Sequence, residues 1–316
     1  MAKKYNETCG KIIKEIEKAV VGKRECIEKV LCAILAGGHI LLEDIPGVGK
    51  TTLALAFSRA MSLKYNRIQF TPDVLPADVT GFSVYQKETG QFKFHPGAVM
   101  CNLFLADEIN RTSPKTQSAL LEVMEEGNVT VDGRTRQLDK PFIVLATQNP
   151  VGSAGTQLLP ESQLDRFMIR LSLGYPSMEQ EIRIMKERKD GNPLEEVIPA
   201  VTAERLVQMQ QEAEQVFLHD LIYKYVAALV QATREHPMLQ AGASPRGALS
   251  LARMTAARAY MQGRDYCIPE DVQFCFYETV GHRLVPNARA RAAHLTAGQL
   301  LKQILESVPE PTGEEA

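Results

Sequence analysis

Apolar residues fall into two registers along the first half of the chain. Between residues 12 and 35 they recur at helical spacing: Ile12, Ile13, Ile16 and Val20 form one run, and after a break at Val21-Gly22 a second run covers 25–35. A different pattern follows, the short unbroken apolar run 39–43. Runs of the same kind stand at 67–70, 103–106, 143–147 and 168–171, with helical patterns at 51–61 and 115–126 between them. A short strand without alternation is one covered on both faces, so the pattern predicts an α/β fold built on a parallel five-stranded sheet. Two stretches interrupt the alternation. Segments 82–86 and 91–94, joined by Lys87-Glu-Thr-Gly90, predict one projecting hairpin; segments 129–131 and 134–136, flanking Asp132-Gly133, predict another. Beyond Gly174-Tyr-Pro176 the strand signal stops. Helical periodicity at 179–188, 203–216, 220–235, 246–261 and 269–280 predicts an all-helical second domain. The expected division is a core at 1–175 with hairpin inserts near 82–94 and 129–136, a helical lid at 176–305, and a disordered tail at 306–316, whose Pro and Glu residues bury little.

Composition narrows the functional classes. With 316 residues the chain exceeds what one hydrophobic core usually serves, which agrees with two domains. Thirty-six Lys and Arg stand against 38 Asp and Glu, a net charge of -2, so no bulk positive field draws in nucleic acid or an anionic membrane. No stretch approaches the roughly 20 apolar residues of a membrane-spanning helix, and the first residues lack the apolar run of a signal peptide. A cytoplasmic location is expected. The six cysteines form no C-x-x-C pair and no zinc spacing, so they read as buried free thiols. His95 has no nucleophile beside it in any motif, and the other five histidines are scattered.

The chemistry concentrates after the first strand, in Asp44-Ile-Pro-Gly47-Val-Gly49-Lys50-Thr51-Thr52, which leads into the helix predicted at 51–61. Strand, glycine-rich loop and helix, in that order, make a phosphate site. Gly47 and Gly49 let backbone N–H groups curl around an anion while the new helix turns its positive end toward it. Lys50 adds charge for the β- and γ-phosphates, and the Thr51 hydroxyl can ligate Mg²⁺. The strict pattern has glycine where Asp44 stands. A metal needs a carboxylate as well, and the apolar run 103–106 delivers Asp107 and Glu108 at the carboxyl end of a strand, where open α/β sheets bind ligands. Asp107 can hold the hydrated metal and Glu108 can act as general base on water.

These residues, with several longer strings, resemble the AAA+ ATPases of the MoxR type, a helix-2-insert group of P-loop NTPases. The strings are Leu42-Glu-Asp-Ile-Pro-Gly-Val-Gly-Lys-Thr51, Thr71-Pro-Asp-Val-Leu-Pro-Ala-Asp-Val-Thr-Gly81, Ala106-Asp-Glu-Ile-Asn-Arg111, Lys115-Thr-Gln-Ser-Ala-Leu-Leu-Glu122, Ala146-Thr-Gln-Asn-Pro150 and Leu159-Pro-Glu-Ser-Gln-Leu-Asp-Arg-Phe167. The resemblance covers most of the chain, from Val20 through the lid. It implies a three-layer P-loop sandwich with a helical lid, and the cofactors ATP and Mg²⁺. It also assigns roles residue by residue. Val21 and Gly22 belong to the adenine pocket, and Gly47, Val48, Gly49, Lys50, Thr51 and Thr52 to the phosphate loop. Thr51 and Asp107 hold the metal, Glu108 is the base and Asn149 the sensor. Arg166 is the arginine finger toward a neighbouring subunit, its alternative being an ion pair with Glu161 or Asp165. Arg246 is the second sensor, in cis or in trans, and Arg111 is less defined. The hairpins resemble the helix-2 insert and the presensor-1 hairpin. MoxR-type sequences also carry the Asp44 departure, so it does not imply loss of binding.

The function implied is ATP hydrolysis by a hexameric ring that remodels or activates a client protein, in maturation or metal-cofactor insertion. A von Willebrand factor A-domain protein is implied as partner by resemblance only. The alternatives are a slowly hydrolysing nucleotide switch and, because related motors exist, a DNA translocase, which the near-neutral charge disfavours.

Overall fold

The computed structural model describes residues 6–149 and 159–311. Two helices, α1 (Glu7–Ala19) and α2 (Arg24–Leu35), precede strand β1 (Ile40–Glu43). Helix α3 (Lys50–Ala60) leads to β2 (Tyr65–Gln69) and the short α4 (Pro76–Thr80) to the hairpin β3 (Gly81–Gln86) and β4 (Gln91–Pro96). Strand β5 (Leu103–Asp107) is followed by α5 (Pro114–Glu126), which Ser113 caps at one end and left-handed Gly127 closes at the other. The second hairpin, β6 (Asn128–Val131) and β7 (Arg134–Gln137), comes before β8 (Ile143–Gln148), and α6 (Glu161–Leu164) before β9 (Ile169–Leu171). All five sheet strands run parallel in the order β2-β5-β8-β1-β9. Both hairpins stand apart from that sheet as two-stranded ribbons, where the turn residues had put them.

Alternate residues of each strand serve opposite faces. Leu41, Phe104, Ala106, Val144 and Ala146 pack under α5, whereas Ile40, Leu42, Leu103, Leu105 and Leu145 pack under α1, α2 and α3, giving three layers. The second of these cores does not stop at the sheet. Past α7 (Met178–Asp190), which adds no buried residue to it, it continues into the C-terminal helices α8 (Ala203–Glu214), α9 (Asp220–Glu235), α10 (Pro245–Met261) and α11 (Pro269–Val280). Two features there escape helical periodicity. A ribbon of β10 (Leu239–Ala241) and β11 (Val285–Pro286) interrupts the helices, and α12 (Ala288–Ala292) and α13 (Ala297–Ser307) follow within the expected lid but beyond its last predicted helix, α13 running two residues into the expected tail. Leu300, Leu301 and Ile304 bury one face of α13, so order extends through Ser307; residues 312–316 of the expected tail lie outside the described residues.

Arg283 pins this region to the sheet. Its guanidinium, 2% exposed, pairs with Asp165 at 2.7 Å and donates to the carbonyls of Phe167 and Thr279. His39, just before β1, acts similarly within the core: Nδ1 accepts from the Val144 N–H at 3.0 Å and Nε2 faces the Met124 carbonyl at 3.0 Å. Those partners fix the neutral ring with its proton on Nε2. Burial, with the Arg253 charge adding to it, lowers the His39 pKa to about 4 against the opposing pull of the Met124 carbonyl. The unfolded chain protonates this ring near pH 6.5, so between that value and about 4 it takes up the proton that the folded chain refuses. Stability is therefore present above about pH 6.5 and is lost as pH falls toward 4. Urea titrations across this interval are expected to show the loss, and His39→Phe, whatever its stability at neutral pH, should have a shallower slope.

Candidate nucleotide site

Strand β1 is buried until Leu42, and the chain must then turn sharply into α3. Gly47 and Gly49 make the turn with φ of +88° and +99°. Nothing lies within 4 Å of where a Cβ would sit on either, so backbone conformation and not space demands glycine. The first N–H groups of α3 have no partners within the helix and border the same concavity, a ready anion site. Beside the loop lies a cleft of 430 Å³ whose wall includes Val21, Gly47, Val48, Thr52, Tyr175 and Met185. Gly22 is not in that wall. It turns the chain at φ +71° and its carbonyl accepts from Gln180 on α7.

Lys50, the first residue of α3, donates to the Asp44 carbonyl at 2.6 Å and reaches Oδ1 of Asn149 at 3.5 Å. Burial lowers its pKa, an effect that the carboxylates of Asp44, Asp107 and Glu108 partly offset. Asn149 emerges from the end of β8 and donates from Nδ2 to Glu108 at 2.9 Å, so ammonium, amide and carboxylate form one line across the edge of the sheet. Asn110 fixes the Asn149 backbone by exchanging hydrogen bonds of 3.3 and 3.4 Å with its carbonyl and N–H. The other Glu108 oxygen accepts from Arg111 at 2.7 Å, which gives that arginine a contact that its sequence position left undefined. Burial alone would raise the Glu108 pKa; Arg111, Asn149 and Gln69 outweigh it and hold the carboxyl below its ordinary value. Glu108 is therefore ionised at neutral pH.

Asp107 is engaged on both oxygens. Thr147, fully buried on β8, donates to Oδ1 at 2.6 Å while its hydroxyl oxygen accepts from the Glu108 N–H at 2.8 Å. Oδ2 accepts from Arg67 at 2.7 Å. Arg67 and Gln69 alternate along β2, in register with β5, so one strand face serves both acidic residues. Arg67 lies in no motif, and Thr147 stands in the string Ala146-Thr-Gln-Asn-Pro150 with no role assigned to it. The period-2 rule could have placed Arg67 and Gln69 on one face, but only the strand order, with β2 beside β5, reveals which carboxylates that face meets. Among the described residues there is no group of three His, Cys, Asp or Glu side chains that could hold an ion unaided. One hydroxyl, Thr51, and one carboxylate, Asp107, are hard oxygen donors that suit Mg²⁺ arriving with phosphates, and the Arg67 that pairs with Asp107 is half-exposed.

Arg166 and Arg246 lie elsewhere. Arg166 precedes β9 and so sits at the amino end of a parallel sheet whose carboxyl end carries the loop; with about 3.3 Å per residue, the four residues of β1 alone separate the two ends by roughly 13 Å. Its ion pair is not with Glu161 or Asp165. Asp165 is taken by Arg283, and Arg166 pairs with Glu125 at 3.2 Å. Arg246 at the start of α10 pairs with the other oxygen of the same carboxylate. The loop, Asp107, Glu108 and Asn149 are thus brought together in one chain, whereas the two arginines are brought to each other.

Residues 39–169 match the family model described as ATPase family associated with various cellular activities (AAA), and residues 231–304 match the AAA lid domain. The chain is 46% identical over 302 residues to the Bacillus subtilis protein YeaC, covering 96% of this chain and 94% of that one. It is 37% identical to Chaperone MoxR1 of Mycobacterium tuberculosis (96% and 82% covered) and 31% identical to Protein MoxR of Methylorubrum extorquens (97% and 96%). A crystal structure of a Cytophaga hutchinsonii protein assigned as an ATPase superposes with a TM-score of 0.89 at 39% identity, covering 96% of this chain and 95% of that one.

Thr147→Val tests whether the buried hydroxyl organises both acidic residues. It strands the Glu108 N–H and one Asp107 oxygen, and is expected to cost about 1–3 kcal/mol of stability in urea titration. Phosphate release under conditions where the variant stays folded should fall about tenfold or more.

Proposed function

The chain belongs to the MoxR-type AAA+ ATPases, and on that premise we propose that it assembles into a ring and uses Mg²⁺-dependent ATP hydrolysis to remodel or activate a protein client. ATP hydrolysis itself comes with the family. The observation that carries the fuller reading is the continuous line Lys50, Asn149, Glu108 at the mouth of the glycine loop. In this reading the loop and Lys50 bind the phosphates, Thr51 and Asp107 would hold Mg²⁺, and Val21 lines the base pocket. The metal, when bound, neutralises phosphate charge. Asn149 orients a water that Glu108, ionised at neutral pH, deprotonates.

Arg166 and Arg246 act in trans. They are too far along the sheet to serve their own loop, and a guanidinium pair on the opposite end suits a head-to-tail neighbour. Assembly, with a hexamer as the expected size, then completes each site. The β3-β4 hairpin supports a protein client: Phe82, Val84, Tyr85 and Phe92 are exposed on it, and Arg136 of the second hairpin stacks 3.7 Å over Phe94 at its base, so the two ribbons brace one another. A von Willebrand factor A-domain protein is the client class we favour, and cytoplasm the compartment. The division into a core through Tyr175 and a lid beyond it belongs to the same proposal. A slowly cycling switch is the second reading. It draws support from Glu108, whose oxygens are both engaged, one by Arg111 and one by Asn149.

Glu108→Gln should keep ATP binding and abolish turnover; a variant turning over at the native rate would remove Glu108 from its role. Arg166→Ala should lower turnover by about a hundredfold or more. Mixing it with Lys50→Ala, inactive alone, should restore phosphate release, since each variant supplies what the other lacks. No recovery at any ratio would exclude the trans arrangement. Turnover that ignores added protein client and chain concentration would favour the switch.

A further inference from the structure

Asp44 occupies the position where phosphate loops have glycine, yet its side chain does not enter the loop. It is 5% exposed, and its carboxylate accepts three hydrogen bonds from consecutive residues: the Ser172 hydroxyl at 2.6 Å, the Leu173 N–H at 2.5 Å and the Gly174 N–H at 3.1 Å. Those residues follow β9 and lead into α7, the first helix beyond the sheet. They also continue into Tyr175 and Pro176, which wall the cleft beside the loop. At its other end the same residue offers its carbonyl to the Lys50 ammonium at 2.6 Å.

Burying a carboxylate is expensive unless donors surround it, and three donors from one short segment make a strong, directional anchor. A glycine would leave two backbone N–H groups and a hydroxyl without this partner. The anchor spans two functions: one end of residue 44 holds the ammonium that would meet phosphate, and the other holds the segment from which the helical region departs. Among the described residues, no other side chain of the phosphate loop bonds to residues 172–174.

We propose that Asp44 is a positioning residue that ties occupancy of the phosphate loop to the placement of the helical region. When Lys50 turns from the Asp44 carbonyl to a nucleoside triphosphate, the peptide at residue 44 is released on one side. The carboxylate, still bonded to 172–174, carries that adjustment into the connection to α7. The inference rests on the nucleotide-site reading and adds a route from that site to the helices.

The test uses the full chain with probes at Lys64→Cys, on the sheet side, and Lys302→Cys on α13, both exposed. Native thiols compete little: Cys9, Cys32, Cys101, Cys267 and Cys275 are buried, and burial pushes the half-buried Cys26 up to about 12. Doubly labelled chains are diluted into unlabelled chains and the probe separation is measured with ADP and with a non-hydrolysable ATP analogue. A nucleotide-dependent change in the native chain, cut by at least about half in Asp44→Asn while analogue affinity stays within about threefold, supports the inference. Asn keeps the shape but sets an N–H group against N–H donors. If Asp44→Asn lowers the melting temperature yet preserves the full change, Asp44 is only a structural anchor and the inference is overturned. Ser172→Ala, which removes a single donor, gives the same readout should Asp44→Asn not fold. A native chain that binds the analogue without any change in separation defeats this inference but leaves the site intact; one that does not bind it defeats the site reading as well.

Discussion

Five parallel strands end on one edge of a buried sheet, and the backbone groups at those ends have to find partners without water. This constraint shapes the carboxyl edge. Thr147, on β8, meets the Glu108 N–H and one Asp107 oxygen with one hydroxyl, the Asn110 side chain satisfies both backbone groups of Asn149, and Asp44 collects the N–H groups after β9. A polar network is needed there for the fold to close at all. The side chains that could bind nucleotide are members of that network, which is why their geometry is held by packing several residues deep.

Residues close in sequence were legible; residues brought together by strand order were not. The glycine loop, Asp107-Glu108 and the two hairpins are local patterns, and each stands in the structure within a residue or two of its expected limits. Helices 220–235 and 269–280 were read to the residue because their caps and periodicity agree. Arg67 could not be seen beside Asp107, since they are forty positions apart and only the pairing of β2 with β5 joins them. Glu125 was hidden for the same reason. The β10-β11 ribbon has too few residues to show a period of two, and α13 sits between a basic stretch and an acidic end that mask its three buried aliphatics.

The helical region shares a core with α2 and is not stacked on the sheet as a separate body. Arg258 and Glu28 form a buried ion pair at 3.2 Å between α10 and α2, with the Arg258 guanidinium also lying 3.7 Å over Phe274. Glu28 keeps a second partner in Arg24 at 3.2 Å, whereas losing Glu28 would take the ion-pair partner from the buried Arg258 guanidinium, so such contacts specify the docking of these helices more than they add to net stability. The connection between the two regions is accordingly narrow in sequence but broad in space.

The placement of Arg166 and Arg246 at the end of the sheet away from the glycine loop gives every chain a direction, a donor end and an acceptor end. If the arginines complete a neighbour's site, a row of n chains has n − 1 complete sites and two useless ends. Closing the row into a ring converts both ends at once into one more site. Circularity is then a matter of counting: the last subunit to join brings two active sites where each earlier one brought one, and activity itself rewards closure over length.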